Sequence, residues 1–502
     1  MEFIKLTDLV PIIPEIIVLL TACTVLLVDL FAPEKDRAFT LAVTTILGLV
    51  LAMLSETQLH NRDLSGFYGT VVADDFSVLF EFIYMSVAIL TVFVSRHYIA
   101  ENEMNFGEYY VLLLTSVSGM MFMTSGLDLL VIFIGLEIMS ISSYILVGMK
   151  RKVAEANEAA LKYLLLGAFS TGFLLYGISL LYGATGSTLL PEIIAEIKQN
   201  GADNPLVVVG TALVIIAMSF KIAVVPFHMW TPDVYTGAPT PVTGFLSGAA
   251  KAAGFAVFVR ILLTGIPLES ANWENLLWIL AVLTMTVGNV MALRQNEVKR
   301  MLAFSSIAHA GYVMVAVVVG STSAISGVIF YSCAYALMGT GAFGILTIRD
   351  AGTIPKTFDD LAGYGNRNPF LALLMTLFIF SLVGLPLTGG FIGKLQIFSA
   401  ALQDGWIWLT VIGILNSALS VYYYLRVVMY MYMREGALPE GLDDSNKTYG
   451  FALTGLIGTA AAVLYLGVFP DQILDLASEL SLIHISEPTR PLYISYAVFC
   501  LK

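Results

Sequence analysis

Charged residues are scarce in this chain: 12% of its 502 residues are Asp, Glu, Lys or Arg, against about a quarter in soluble domains. So few solvated side chains exclude an ordinary water-soluble globule of this size. Cysteine is scarcer still. Cys23, Cys333 and Cys500 are isolated from one another, with no CxxC and no metal-ligand spacing, so they read as small core residues, and iron–sulfur clusters, haem and structural zinc find no ligand set. Positive charge is outnumbered, with 25 Lys and Arg against 37 Asp and Glu and a formal net charge of -12. The acids fall largely in loops such as Glu101 to Glu103 and Asp443–Asp444, and no nucleic-acid partner is expected. No strand–GxGxxG–helix unit, flavin motif or catalytic triad is found, so no cofactor is expected on this chain. The N-terminal MEFIKLTDLV lacks a basic segment, and the apolar run after it is too long for a signal peptide; it reads as an uncleaved first helix.

What the chain has in abundance is apolar length. Hydrophobic residues make up 58% of it and the mean hydropathy is +0.85, and its apolar runs reach about 20 residues, the length a helix needs to cross about 30 Å of hydrocarbon. The alternating strands of a membrane barrel are not seen. Runs of crossing length cover about 10–31, 38–56, 75–95, 109–124, 127–148, 159–182, 205–226, 240–264, 275–294, 300–319, 323–348, 370–399, 406–432 and 449–469. The fold class is therefore an all-α polytopic membrane protein of about 14 transmembrane helices. Loops are short except 183–204, 349–369 and 433–448, and in the first of these TLLPEIIAEIKQN predicts an interfacial helix. Residues 1–480 read as one transmembrane domain. Residues 481–502, with a Pro-rich turn and an unpartnered strand-like run, read as a non-native, adapter-like tail.

Positive charge alternates between loops. The odd-numbered ones carry Lys35, Arg37, Arg96, Lys150, Arg151, Lys152, Arg294, Lys299, Arg300, Arg349, Lys356, Arg367, Arg434 and Lys447, and the even side has little beyond Lys5, Arg62 and Lys198. By the positive-inside rule the odd loops are cytoplasmic and both termini are periplasmic, in a multi-pass protein of a bacterial inner membrane.

Within this apolar background five ionisable groups are read as lying well inside predicted helices: Glu137, Lys162, Lys221, Lys251 and Lys394. A charge at the bilayer centre costs about 2.5–3.5 kcal/mol even on lenient scales, so each is a functional candidate. Each also has a plainer reading. Glu137 can be a neutral acid held by a hydroxyl such as that of Ser140, and Lys221 can snorkel to an interface. Lys221 stands five residues before Pro226, which frees helical carbonyls near an ammonium group that needs acceptors. Lys251, in SGAAKAAGF, is enclosed by small residues that admit neighbouring helices. Lys394 follows GLPLTGGFIG, a cluster expected to break the twelfth helix as Pro226 breaks the seventh. Lys162 lies only about a turn inside its helix and can reach the interface. His309, in SSIAHAGY, is either a proton relay or a hydrogen-bonded core histidine. His228 lies past the Pro226 break.

These positions recur. Glu137 to His309 spans 172 residues, Lys221 to Lys394 spans 173 and Lys251 to Arg426 spans 175. The partners are five helices apart in order, an odd offset, so the related units have opposite topology, as in inverted-repeat transporters. A buried acid and lysine can also switch: unit charges about 4 Å apart at an effective dielectric of about 20 interact by roughly 4 kcal/mol, or about 3 pK units. Bringing Glu137 toward Lys221 favours the charged lysine; separating them releases a proton to a lateral chain of lysines and histidine.

The stretches EAALKYLLLGAFSTGFLLYG at 158–177, FKIAVVPFHMWTPDVYTGAPTPVTGFLSGAAKAAGF at 220–255 and EVKRMLAFSSIAHAGY at 297–312 resemble the N-type antiporter-like subunit of bacterial respiratory complex I, over about residues 1–480. The resemblance implies a proton-translocating subunit without redox chemistry of its own, NADH, FMN, iron–sulfur clusters and quinone being handled elsewhere. It implies that Glu137 pairs with Lys221, that Lys251 matches the eighth-helix lysine of the family, and that Lys394 is the gate to one side; Lys162 and His309 stay proton-transfer candidates on the reading of the residues themselves. Lysine at 394 favours the N-type over the M-type, and the lack of a long lateral C-terminal helix argues against the L-type. The implied partners are the M-type antiporter-like subunit, small K- and J-type subunits and the lipid bilayer. An Mrp-type cation/proton antiporter would use the same lysines without quinone-linked driving.

Overall fold

The computed structural model describes residues 5–102, 104, 107–201, 203–264, 273–350, 357–435 and 450–477. The predicted tail at 481–502, with Cys500, lies outside the described residues. In chain order the helices are α1 (Ile13–Phe31), α2 (Arg37–Glu56), α3 (Asp75–Glu101), α4 (Gly107–Ser125), α5 (Leu129–Val147), α6 (Ala154–Thr185), α7 (Leu190–Asn200), α8 (Pro205–Lys221), α9 (Trp230–Gly237), α10 (Thr240–Phe245), α11 (Lys251–Thr264), α12 (Trp273–Leu293), α13 (Val298–Val319), α14 (Thr322–Asp350), α15 (Tyr364–Arg367), α16 (Pro369–Val383), α17 (Gly389–Gln403), α18 (Ile407–Met433) and α19 (Gly450–Val468). A single wide turn, Leu246–Ala250, joins α10 to α11 into one span.

Eleven of these helices or continuous pairs are long and apolar enough to cross a membrane. The three remaining predicted runs also fold as helix. The run 109–124 is α4, whose serines, threonines and paired tyrosines dilute its apolar character. The runs 205–226 and 370–399 are interrupted. At the first interruption α8 ends at Lys221, Ala223 takes a φ of 62°, and the chain resumes as α9. At the second, α16 ends at Val383, Gly384 and Leu387 take φ values of 90° and 70°, and α17 follows. Left-handed conformations of alanine and leucine cost about 1–2 kcal/mol each, so these breaks persist because the surrounding packing enforces them. They do not follow the spacing of the lysines. Ala223 to Leu387 is 164 residues, against 173 from Lys221 to Lys394. Lys221 therefore ends the helix before its break, while Lys394 lies inside the helix after its own.

The centre of the bundle is formed by the α10–α11 span, α13 and α14, which are almost wholly buried. Helices α1, α2, α6 and α18 form outer walls and turn leucines and aromatics outward, among them Leu27, Leu51, Leu165, Phe169, Leu415 and Tyr422. That surface suits lipid. Cys23 belongs to this outward face and is exposed, which corrects its reading as a core residue; Cys333 is half-buried. The expected interfacial helix is α7, which buries Ile193 and Ile197 and exposes Glu192 and Lys198. A feature absent from the sequence reading is a short hairpin between α2 and α3, with β1 (Leu64–Gly66) antiparallel to β2 (Val71–Ala73).

Candidate functional site

The first break builds the surroundings of Lys221. The Lys221 ammonium does not rest on carbonyls freed at the break, contrary to expectation. The Phe220 carbonyl is taken by the Trp230 indole N–H at 2.9 Å and by the Ala223 N–H at 3.1 Å. The Lys221 ammonium instead donates to the Ser140 hydroxyl on α5 at 2.8 Å and stands 5.8 Å from the centre of the Tyr163 ring on α6. Ser140 in turn donates to the Leu136 carbonyl one turn earlier in α5. Lys221 is buried, so neither snorkelling nor open water supplies its acceptors.

Glu137 lies one turn from Ser140 on the same helix and accepts a hydrogen bond from the Thr171 hydroxyl of α6 at 2.8 Å. It makes no direct ion pair with Lys221. The structure thus presents the separated arrangement of the two groups, with the hydroxyl partner of Glu137 being Thr171 and not Ser140. A small cavity lined by Leu136, Ser140, Tyr144, Thr171 and Lys221 adjoins them.

Lys251 comes next. Helix α11 approaches the first break closely because Gly254 has no side chain: a Cβ there would lie 2.7 Å from Ile222 Cγ2. This brings the Lys221 and Lys251 helices together, as the small residues around Lys251 predicted. The Lys251 ammonium donates to the Ser306 carbonyl of α13 at 2.6 Å and also to the Ser306 hydroxyl. A small cavity connects the surroundings of Lys251 to His309, Ser332 and Tyr335.

His309, a turn further along α13, is held from both sides. One ring nitrogen, Nε2, lies 2.8 Å from the Tyr424 hydroxyl of α18, and Nδ1 contacts the Tyr331 hydroxyl of α14. Tyr424 also hydrogen-bonds Ser305, the neighbour of the Lys251 partner Ser306. Beyond the histidine, the Tyr312 ring lies 5.5 Å from the imidazole and 5.1 Å from the Lys394 ammonium, centre to centre and centre to nitrogen. Lys394 uses the second break as the sequence led one to expect. It donates to the terminal α16 carbonyls of Leu382 and Val383 at 3.0 and 2.8 Å, and to the Ser417 hydroxyl at 3.0 Å.

Lys162 stands apart from this row. It is 41% exposed and pairs with Glu158 and Asp233, each at 2.7 Å. Asp233 on α9 also accepts from Arg300 on α13 at 2.8 Å. Partial burial opposes ionisation of Asp233, but hydrogen bonds from Lys162 and Arg300 outweigh it and hold its carboxyl below the usual carboxylate range. These groups line a cavity of about 320 Å³ together with Lys150, Glu155, Glu297 and Lys299. His228 lies in the loop after the first break, half-buried.

The site therefore consists of buried lysines whose acceptors are neutral hydroxyls and carbonyls, with phenols and one imidazole between Lys251 and Lys394. Such groups can pass a proton in either direction without a permanent charge partner. Ser140 was legible only as a neighbour of Glu137, and the hydroxyls of Thr171, Ser306, Tyr331, Tyr424 and Ser417 carry no buried charge to mark them. Serine, threonine and tyrosine are common in apolar helices and carry no signal until a partner helix faces them. Asp233 was legible only as part of WTPDVYTG, next to the break.

Residues 126–420 match the family of NADH:quinone oxidoreductase and Mrp antiporter transmembrane proteins. The chain is 48% identical over 470 residues to an NADH-quinone oxidoreductase subunit N from Trichlorobacter lovleyi, covering 93% of this chain and 96% of the relative. Among solved structures it resembles a chain of respiratory complex I from Thermus thermophilus with bound aureothin, at 31% identity and a TM-score of 0.77, covering 93% of this chain and all of that one. A chain of the Mrp complex from a Dietzia species shares the fold at 21% identity and a TM-score of 0.82. With its bundle, its two interrupted helices and its extended match to subunit N, the chain belongs to the NADH:quinone oxidoreductase and Mrp antiporter transmembrane family.

Proposed function

We propose that this chain, as the antiporter-like membrane subunit of an NADH:quinone oxidoreductase, translocates protons along the row Glu137, Lys221, Lys251, His309 and Lys394. Lys221 is the proton carrier of the first half. Glu137 sets its charge by approaching or leaving it around Ser140, Lys251 and His309 conduct laterally, and Lys394 is the gate of the second half. Lys162 serves intake, in the charged cavity it shares with Asp233 and Arg300. The observation that carries this reading is that three buried lysines, Lys221, Lys251 and Lys394, each rest on neutral hydroxyl or carbonyl acceptors, with His309 and its tyrosines between Lys251 and Lys394. A lysine so placed gives up its proton without breaking a permanent ion pair.

The redox chemistry belongs to other subunits, which hold NADH, FMN, iron–sulfur clusters and quinone. Their energy reaches this chain through M-type, K-type and J-type membrane neighbours as a movement of charge. Moving one charge against 100 mV costs about 2.3 kcal/mol, and a switch worth roughly 4 kcal/mol is of sufficient size. The bias of Lys and Arg toward odd loops supports periplasmic termini in a bacterial inner membrane.

The test is Lys221→Ala in the assembled complex, with NADH:quinone turnover and proton pumping measured in sealed membranes. Loss of pumping with assembly intact is expected. Wild-type turnover and pumping together would overturn the role of Lys221, and Na⁺/H⁺ exchange by the purified chain would move the reading to an independent antiporter.

A further inference from the structure

Three carboxyl groups meet outside the lysine row. Glu15 is in the first turn of α1, Glu56 ends α2, and Glu81 lies in the early turns of α3. Successive helices run in opposite directions, so these positions fall near one face, the one that carries the N-terminus. Glu15, Glu56 and Glu81 are 0%, 1% and 3% exposed. Glu56 and Glu81 are neighbours, and Glu15 is within electrostatic reach of both.

Among the described residues, the cation beside them is Arg260, and it is already engaged. Arg260 of α11 donates to both carboxylate oxygens of Asp74, which caps α3, at 2.8 Å each. The other facing groups are neutral: Ser125 of α4 donates to Glu15 Oε1 at 3.3 Å, and Tyr84 of α3 bonds Thr124 at 2.8 Å. On the loop after Glu56, His60 binds Asp75 at 2.8 Å. A further observation points to a ligand. Oε2 of Glu15 and Oε2 of Glu56 are enclosed and have no hydrogen-bond partner.

Ionised carboxylates are acceptors only and repel one another, so three of them buried side by side need protons to be accommodated. Buried oxygens without donors are costly and call for a partner. No group of three or more His, Cys, Asp or Glu among the described residues is arranged to hold a metal ion. The partner that fits is a proton.

We propose that Glu15, Glu56 and Glu81 form a second proton-binding site, separate from the lysine row, in which three buried carboxyl groups share protons. Its link to the row is mechanical: Arg260 and Lys251 lie nine residues apart on α11, about two and a half turns.

Infrared spectroscopy of the assembled complex in H₂O and D₂O tests this. The wild type is expected to show a carbonyl-stretch band of protonated carboxylic acid, shifted in D₂O. Glu56→Gln and Glu81→Gln should each lose it, and Lys221→Ala should keep it, so the outcome does not depend on transport through the lysines. If a glutamine variant fails to assemble, Glu56→Asp retains a carboxyl and should move the band. Spectra of the Glu56 and Glu81 variants identical to wild type in this region would overturn the proposal. So would loss of the wild-type band when sodium chloride replaces choline chloride, which would make this a sodium site.

Discussion

The Lys221 ammonium rests on the Ser140 hydroxyl at 2.8 Å, while Glu137, one turn away on the same helix, is held by Thr171. A hydroxyl thus stands where the resemblance implied a carboxylate. The ammonium therefore has a neutral partner that does not depend on contact with the acid.

Ser140→Ala removes that acceptor. A hydrogen bond to a charged group is worth about 1.5–3 kcal/mol, so pumping should fall by about tenfold or more with assembly retained. Ser140→Thr should restore most of it. Proton uptake in proteoliposomes during NADH oxidation gives the comparison, and wild-type pumping by the alanine variant would remove Ser140 from the mechanism.

Because Glu137 and Lys221 are not in contact in this arrangement, a double-mutant cycle of Glu137→Gln and Lys221→Met on thermal stability should show coupling of no more than about 1 kcal/mol. A direct pair would give roughly 4 kcal/mol at an effective dielectric of about 20. The same cycle on pumping should be far from additive, since both substitutions disable one switch.

Tyr424 joins Ser305 to His309. Tyr424→Phe keeps the ring packing and deletes only the hydroxyl, so pumping should drop several-fold while melting temperature shifts by only a few degrees. His309→Gln in the Tyr424→Phe background should add little, and full additivity of the two losses would show that they act independently.

The Arg260–Asp74 pair is the strongest stability prediction. Both side chains are 2% exposed, and removing one partner of a buried pair costs about 3–5 kcal/mol. Asp74→Asn and Arg260→Met should each reduce the amount of assembled complex in membranes. Asp74→Leu with Arg260→Met should recover much of it, because no unpaired charge remains.

Asp233 bridges Lys162 and Arg300 across two helices at a partly open cavity. Asp233→Asn should cost less than about 1 kcal/mol of stability yet slow turnover. Lys162→Ala in that background should change turnover no further, and a second additive loss would separate Lys162 from Asp233.

The membrane class was legible without a structure because apolar length is a local property: each of the fourteen predicted runs appears as a helix or an interrupted one. The interruptions were legible for the same reason, since Pro226 and the GLPLTGG cluster act on their own backbone. Buried lysines and His309 announced themselves by their cost. Which atom each one binds was not written locally. Ser140 is 81 residues from Lys221, Tyr424 is 115 from His309, and Asp74 is 186 from Arg260. The acids of the second site carry a weaker local signal, because Glu15 and Glu56 lie near the ends of apolar runs and Glu81 only about two turns inside one, where reaching the interface is the ordinary expectation. Composition and periodicity determined that this chain crosses a membrane many times and carries charge where charge is expensive. Tertiary packing decided which hydroxyls, carbonyls and carboxyls face those charges, because a hydrogen-bond partner is chosen by distance in space.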